Sequence, residues 1–125
     1  MTVPIFLALA LVGGLGAGTR FTVDTLIGRL FAGTLPWGTL AINLTGSFAL
    51  GLVTGVLGHH LVAPGWQPVI GIGFLGGYTT FSTASLETVR LLQDGRRRAA
   101  VVVGLGGLLA SVAAAGLGLW WGGLL

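Results

Sequence analysis

Residues Gly73 to Ser85 read GFLGGYTTFSTAS, which sets two adjacent glycines and six hydroxyl side chains inside a run that is otherwise as apolar as a membrane helix. Gly76 and Gly77 are poor helix formers, and Thr79 and Thr80 can bond backbone groups themselves, so the sequence predicts a helix that breaks near its centre. In hydrocarbon such a break is tolerated only where protein or water covers the freed backbone. Unwound carbonyls can coordinate a cation there, and the N-terminus of the following half-helix, expected near Ser82, favours an anion. The ring of Phe81 adds a positive edge that can face an anion. A site of this kind suits ions better than organic molecules.

The surrounding chain agrees with a membrane setting. Its 125 residues make one domain, but 54% are hydrophobic and only 7% charged, with a mean hydropathy of +0.97, far outside soluble composition. Between Arg29 and Glu87 there is no Asp, Glu, Lys or Arg, an interval over which a soluble fold would need charged faces. A bilayer core of about 30 Å needs roughly 20 helical residues. Divided at its Pro, His, Trp and Arg punctuation, the chain predicts an all-α integral membrane protein with spans at about 3–26, 38–58, 67–89 and 99–121. Trp37, Trp66, Trp120 and Trp121 fall at span ends, where indole favours the headgroup region. The first run lacks a basic leading region and a small-residue cleavage site, so it reads as a retained helix.

A net charge of +3 and a pI near 11.3 could suggest nucleic acid, yet the basic charge is six arginines near segment ends, with no lysine and no basic stripe. Arg20, Arg29, Arg90, Arg96, Arg97 and Arg98 all belong to the side of the loops after the first and third spans, and no Lys or Arg lies on the other side. That asymmetry predicts cytoplasmic arginine loops and both termini outside. Glycine is 24 of 125 residues, with spacings such as Gly51 to Gly55 and Gly14 to Gly18 that let helices approach closely. Four thin helices enclose little space, so an interior shared with a second chain is expected.

Several candidate chemistries fall away. Gly71 to Gly76, GIGFLG, matches a dinucleotide-binding pattern by letter, but it lies inside a span instead of after a strand. His59 and His60 are adjacent and point in different directions, which is poor geometry for a shared metal. There is no cysteine. Glu87 lies three residues before Arg90, the spacing of an interfacial ion pair. Without a mid-span acid, a proton-coupled exporter of cationic drugs is disfavoured, and no nucleophile and base pair points to an enzyme. The polar groups at depth are neutral, with Asn43 beside Thr39, Thr45 and Ser47 in the second span. Asn43 in hydrocarbon needs a partner, and an interhelical hydrogen bond contributes about 0.6–2 kcal/mol.

GGLGAGTRF at Gly13 to Phe21, GTLAINLTGSFALG at Gly38 to Gly51, and GFLGGYTTFSTAS resemble, in order and spacing, the signature segments of the Fluc (CrcB) fluoride channel family. The resemblance implies an antiparallel dimer of four-helix subunits in the cell's inner (plasma) membrane, with fluoride pores along the subunit interface. It implies that Asn43 lines the pore, that the ring edge of Phe81 meets fluoride, and that Ser82 and Thr83 belong to a polar track. It further implies a structural sodium ion held at the dimer interface by the backbone carbonyls of Gly76 and Thr79. Fluoride is small and strongly hydrated, so donors must surround it closely yet bind weakly enough for release.

Two departures bear on stoichiometry. The family's second phenylalanine corresponds to Ala84 here, and the fourth span has no Ser or Thr from Ala99 to Ala110, Ser111 being its polar residue. A chain that inserts in both orientations needs balanced loop charges, whereas this one is biased toward one side. The expectation is a fluoride channel subunit that pairs either with itself or with an oppositely oriented homologue. The alternatives are a small four-helix drug exporter and a nonconducting partner subunit.

Overall fold

Thr2 is extended and Pro4 falls in the first turn of the first helix, where an amide hydrogen would have had no helical acceptor. From there α1 (Val3–Leu30) runs 28 residues, about 42 Å at the helical rise and longer than a bilayer core requires. In the computed structural model, which describes residues 1–59 and 68–125, it is followed by α2 (Trp37–His59), α3 (residues 69–78), α4 (Phe81–Gln93) and α5 (Arg97–Gly122). Val3–Leu30, Trp37–Gly58, Val69–Gln93 and Arg97–Gly122 are each long and apolar enough to cross a membrane. The protein is thus all-helical and multi-pass. Its first helix continues past the expected end near residue 26. The expected third-span start at Gln67, together with His60 and Trp66, lies outside the described residues, as does the His59 side chain.

The packing is that of a protein solvated by lipid. Among the described residues the buried apolar side chains are Ile42, Val69, Leu75, Leu91, Ala100 and Val103, while large ones such as Phe6, Leu11, Leu15, Leu109 and Val112 face outward. Lipid removes the hydrophobic drive between helices, so close backbone contact must take over. It does so between α2 and α5, where the glycines interlock reciprocally. Gly51 and Gly55 sit against the carbonyls of Ala115 and Leu119, and Gly118 and Gly122 sit against those of Phe48 and Leu52. The same device joins α1 to α3, with Gly16 against the Phe74 carbonyl and Gly77 against the Gly13 carbonyl.

That contact corrects the expected role of the paired glycines. Gly76 and Gly77 are helical, as part of Gly76–Tyr78, and Gly77 serves close approach to α1. The extended residues are the two threonines: Thr79 has φ −78° and ψ 157°, and Thr80 has φ −147° and ψ 119°. Helix α4 then begins at Phe81, one residue before the expected start near Ser82. Ahead of this point Val69–Leu75 is wound as π-helix, and Val102–Gly106 in α5 is wound likewise.

On the arginine side α4 closes with two bonds that define its C-terminus. The Gly95 N–H donates to the Leu92 carbonyl and the Arg96 N–H to the Leu91 carbonyl, with Gly95 at φ +76°. Arg96 also donates to the carbonyl of Thr34, tying the α1–α2 connection to the α4–α5 turn. The predicted Glu87–Arg90 ion pair does not form. Glu87 turns toward α2 and accepts the Thr39 hydroxyl on Oε1 at 3.1 Å, leaving Arg90 exposed. Glu87 Oε2 is buried and has no hydrogen-bond partner among the described residues.

Candidate ion pathway

A groove of about 620 Å³ opens between α2, α4 and α5, and the threonine pair lies on its wall. Helical spacing decides which side chains reach it. On α2 the polar ones are Thr39, Asn43 and Ser47, each four residues from the next and so stacked on one face, with Leu40 beside them. On α4 they include Phe81, Ser85 and Thr88, one turn apart, with Ala84 between them. On α5 the face of Gly104, Gly107 and Ser111 completes the groove, and a methyl group on Gly104 would meet the Thr88 side chain at 2.9 Å. No charged side chain lines it among the described residues.

The hydroxyls in the groove differ in what they bond, that of Thr39 donating to Glu87 on another helix and that of Thr79 to the Leu75 carbonyl. Ser85 donates to the Phe81 carbonyl and Thr88 to the Ala84 carbonyl, each at 2.8 Å, so these protons are taken by their own helix. Ser47 and Ser111 make no side-chain hydrogen bond within the described residues, and each is partly exposed to the groove. They can donate to something that enters. Phe81 projects its ring outward, 79% exposed in the single chain. An aromatic so exposed beside neutral donors offers an edge to an anion without a fixed charge that would trap it.

Asn43 does not simply hang into the groove. Its Nδ2 donates to the Thr80 carbonyl at 2.8 Å, and its Oδ1 accepts the Thr80 N–H at 2.8 Å. The Thr80 side chain caps α4, its Oγ1 accepting the Thr83 N–H at 3.2 Å and donating to Thr83 Oγ1 at 3.1 Å. These bonds draw donors away from two carbonyls. In an unbroken helix the Thr80 N–H would bond the Gly76 carbonyl, and the Thr83 N–H would bond the Thr79 carbonyl. Both are instead used by Asn43 and Thr80.

Of the residues the sequence singled out, Asn43, Thr79 and Phe81 line the groove, and Gly76 does not. Thr83 does not line it. It borders a second cavity of about 200 Å³ with Arg20, Asp24, Thr39 and Thr80, on the side toward α1. Ser82 is exposed, its hydroxyl 3.3 Å from Thr80 Oγ1. Thr39 and Thr80 border both cavities and are themselves buried, 2% and 8% exposed, so they form the layer between them. Ser47, Ser85 and Ser111 are not among the site residues the sequence predicts. Spacing from Asn43 and Phe81 would have found the first two, while Ser111 needed the packing of α5 on α2.

Residues 7–119 match the family described as CrcB-like protein, Camphor Resistance (CrcB). The chain is 51% identical to the fluoride-specific ion channel FluC 1 of Leifsonia xyli subsp. xyli over 124 residues, which is 99% of this chain and 90% of that protein. It is 45% identical to the fluoride-specific ion channel FluC 2 of Cutibacterium acnes, over 89% of this chain and 91% of the relative. With that of Acidobacterium capsulatum, named FluC, it shares 42% identity over 91% and 92%. A family match across nearly the whole length, together with four helices long and apolar enough to cross a membrane, leads to one conclusion: the chain belongs to the CrcB family.

Proposed function

We propose that the chain is a subunit of a fluoride channel that lets fluoride leave the cytoplasm passively across the cell's inner membrane. The observation that carries this reading is full-length similarity to several proteins named fluoride-specific ion channels. The groove supports it chemically. Asn43, Phe81, Ser47 and Ser111 surround it with neutral donors and a ring edge, which suits a small anion that must be held closely and released. Ser82 and Thr83 extend the polar track toward the smaller cavity.

A groove open along one side of four thin helices calls for a lid, and the reading supplies one as an antiparallel partner subunit. The third span is then broken at mid-membrane by Thr79 and Thr80, with the partner covering the exposed backbone. Gly76 and Thr79 each have a carbonyl relieved of its helical donor, a pair that fits half of a sodium site, with the same two carbonyls of the partner completing it. Sodium bound there would neutralise the partial negative charge of the unwound carbonyls.

Six arginines on one side and none on the other favour a partner of opposite orientation that is a homologue and not a second copy. Ala84 on the groove wall, where a larger side chain would narrow it, favours one working pore per pair. The test is fluoride efflux from liposomes loaded with the chain alone and then with a homologous partner. Efflux that is lost on Phe81→Ala supports the assignment, and wild-type flux in that variant refutes it. A reporter fused to the C-terminus checks orientation, since equal populations on both membrane faces would remove the case for a fixed one.

A further inference from the structure

We propose that Asn43 is a positioning residue whose side-chain amide holds Thr80 in extended geometry and thereby aims Phe81, in place of acting chiefly as an anion ligand. The functional consequence rests on the channel reading above; the structural claim does not. In an extended residue the N–H and C=O point to the same side, as they do toward a neighbouring β-strand, whereas in a helix they point in opposite directions. A side-chain amide presents one acceptor and one donor side by side. Asn43 can therefore engage both groups of Thr80 only while Thr80 is unwound, and it does so with two bonds of 2.8 Å. It replaces a missing strand with one side chain.

The consequence passes directly along the chain. Thr80 is also the N-cap of α4, through Oγ1 and the Thr83 N–H, so fixing Thr80 fixes the direction in which α4 departs. Phe81 is the next residue, and within its own chain the outward ring is largely exposed, so the backbone at Thr80 sets its direction. One of the two amide hydrogens of Asn43 that could serve an anion is thus committed to the Thr80 carbonyl, leaving one.

The substitution Asn43→Asp supplies a distinctive test, because a protonated carboxyl has the same donor and acceptor pair as the amide, and an ionised one has two acceptors. When ionised, the introduced carboxylate faces the Thr80 carbonyl with a second oxygen and breaks the clamp; when protonated, it restores it. The titratable groups on the elements packed against α2 here are Arg20 and Asp24 of α1, Tyr78 of α3 and Glu87 of α4. Comparing Asn43→Asp with and without Glu87→Gln, alongside wild type at each pH, separates the new carboxyl from theirs.

The measurement is the 19F resonance of 4-fluorophenylalanine placed at Phe81, in the assembled protein in lipid nanodiscs without fluoride, with liposome efflux run in parallel. Asn43→Leu, which has similar volume and neither hydrogen-bonding group, is expected to shift and broaden the resonance with no anion present and to lower efflux on the order of tenfold or more. Asn43→Asp is expected to resemble Asn43→Leu at high pH and to return to the wild-type resonance as the pH falls. If both variants keep the wild-type resonance at every pH while efflux drops, Asn43 acts on the ion itself and the proposal is overturned. If Asn43→Leu does not fold, the two pH limits of Asn43→Asp on one sample decide the matter. A resonance that behaves as expected in a wild-type protein without fluoride efflux supports the clamp and removes the channel reading.

Discussion

Gly51→Ala is the perturbation for which the structure gives both a magnitude and a control. A methyl group built on Gly51 would collide with the Ala115 carbonyl and stand 2.8 Å from the Leu119 amide nitrogen, both main-chain atoms of α5. Backbone cannot swing aside as a side chain can, so α2 and α5 must separate by about 1 Å to restore ordinary contact. A gap of that size forfeits a quarter to a half of each dispersion contact, and overpacking of this kind costs about 1–3 kcal/mol. Three further glycines in the same seam, Gly55, Gly118 and Gly122, lose their contacts with it. Gly116, on α5 beside Gly118, has nothing within 4 Å of the added methyl. There alanine is expected to be neutral or to stabilise by up to about 1 kcal/mol through helix propensity. The two variants should therefore lie roughly 1–4 kcal/mol apart. Unfolding in mixed micelles, followed by the fluorescence of Trp120 and Trp121 at the end of α5, measures the difference. Equal stabilities for Gly51→Ala and Gly116→Ala would refute the view that backbone contact holds this pair of helices together.

Other substitutions test the neighbourhood of the groove. Thr39→Val keeps the shape of Thr39 but removes its hydrogen bond to Glu87, whose second oxygen has no partner among the described residues; a loss of about 1–3 kcal/mol is expected. Adding Glu87→Gln should recover part of that loss, and a double-mutant cycle by thermal unfolding reads the coupling. Thr80→Ala removes the cap on α4 but leaves both backbone bonds to Asn43, so a cost near 1 kcal/mol is expected, with faster amide exchange at Thr83. Gly95→Ala forces a side chain into the φ +76° position that ends α4 and should destabilise by about 1–2 kcal/mol in denaturant titrations, with efflux unchanged.

Much of the architecture could be read from composition, because span number depends on hydropathy summed over some 20 residues and survives local error. The GFLGGYTTFSTAS stretch likewise announced a special site, since no lipid-facing helix gains from six hydroxyls. Its internal division of labour was not legible. Glycine that loosens a helix and glycine that lets another backbone approach look the same in a sequence, and only the position of α1 against Gly77 decides between them. The Glu87–Arg90 spacing was equally ambiguous, and the hydroxyl of Thr39, 48 residues away, settled the direction Glu87 takes.

The sequence by itself determined that this protein lives in a bilayer, crosses it with four helices, and concentrates its polar groups in the second and third of them. Only the tertiary structure decided which polar groups are free. Helical spacing reports which side chains share a face, but whether a hydroxyl bonds its own helix, another helix or nothing depends on what stands opposite. Asn43 shows this most clearly: its amide is paired with Thr80, 37 residues on, because the packing of α2 beside an unwound residue offers two backbone groups pointing the same way.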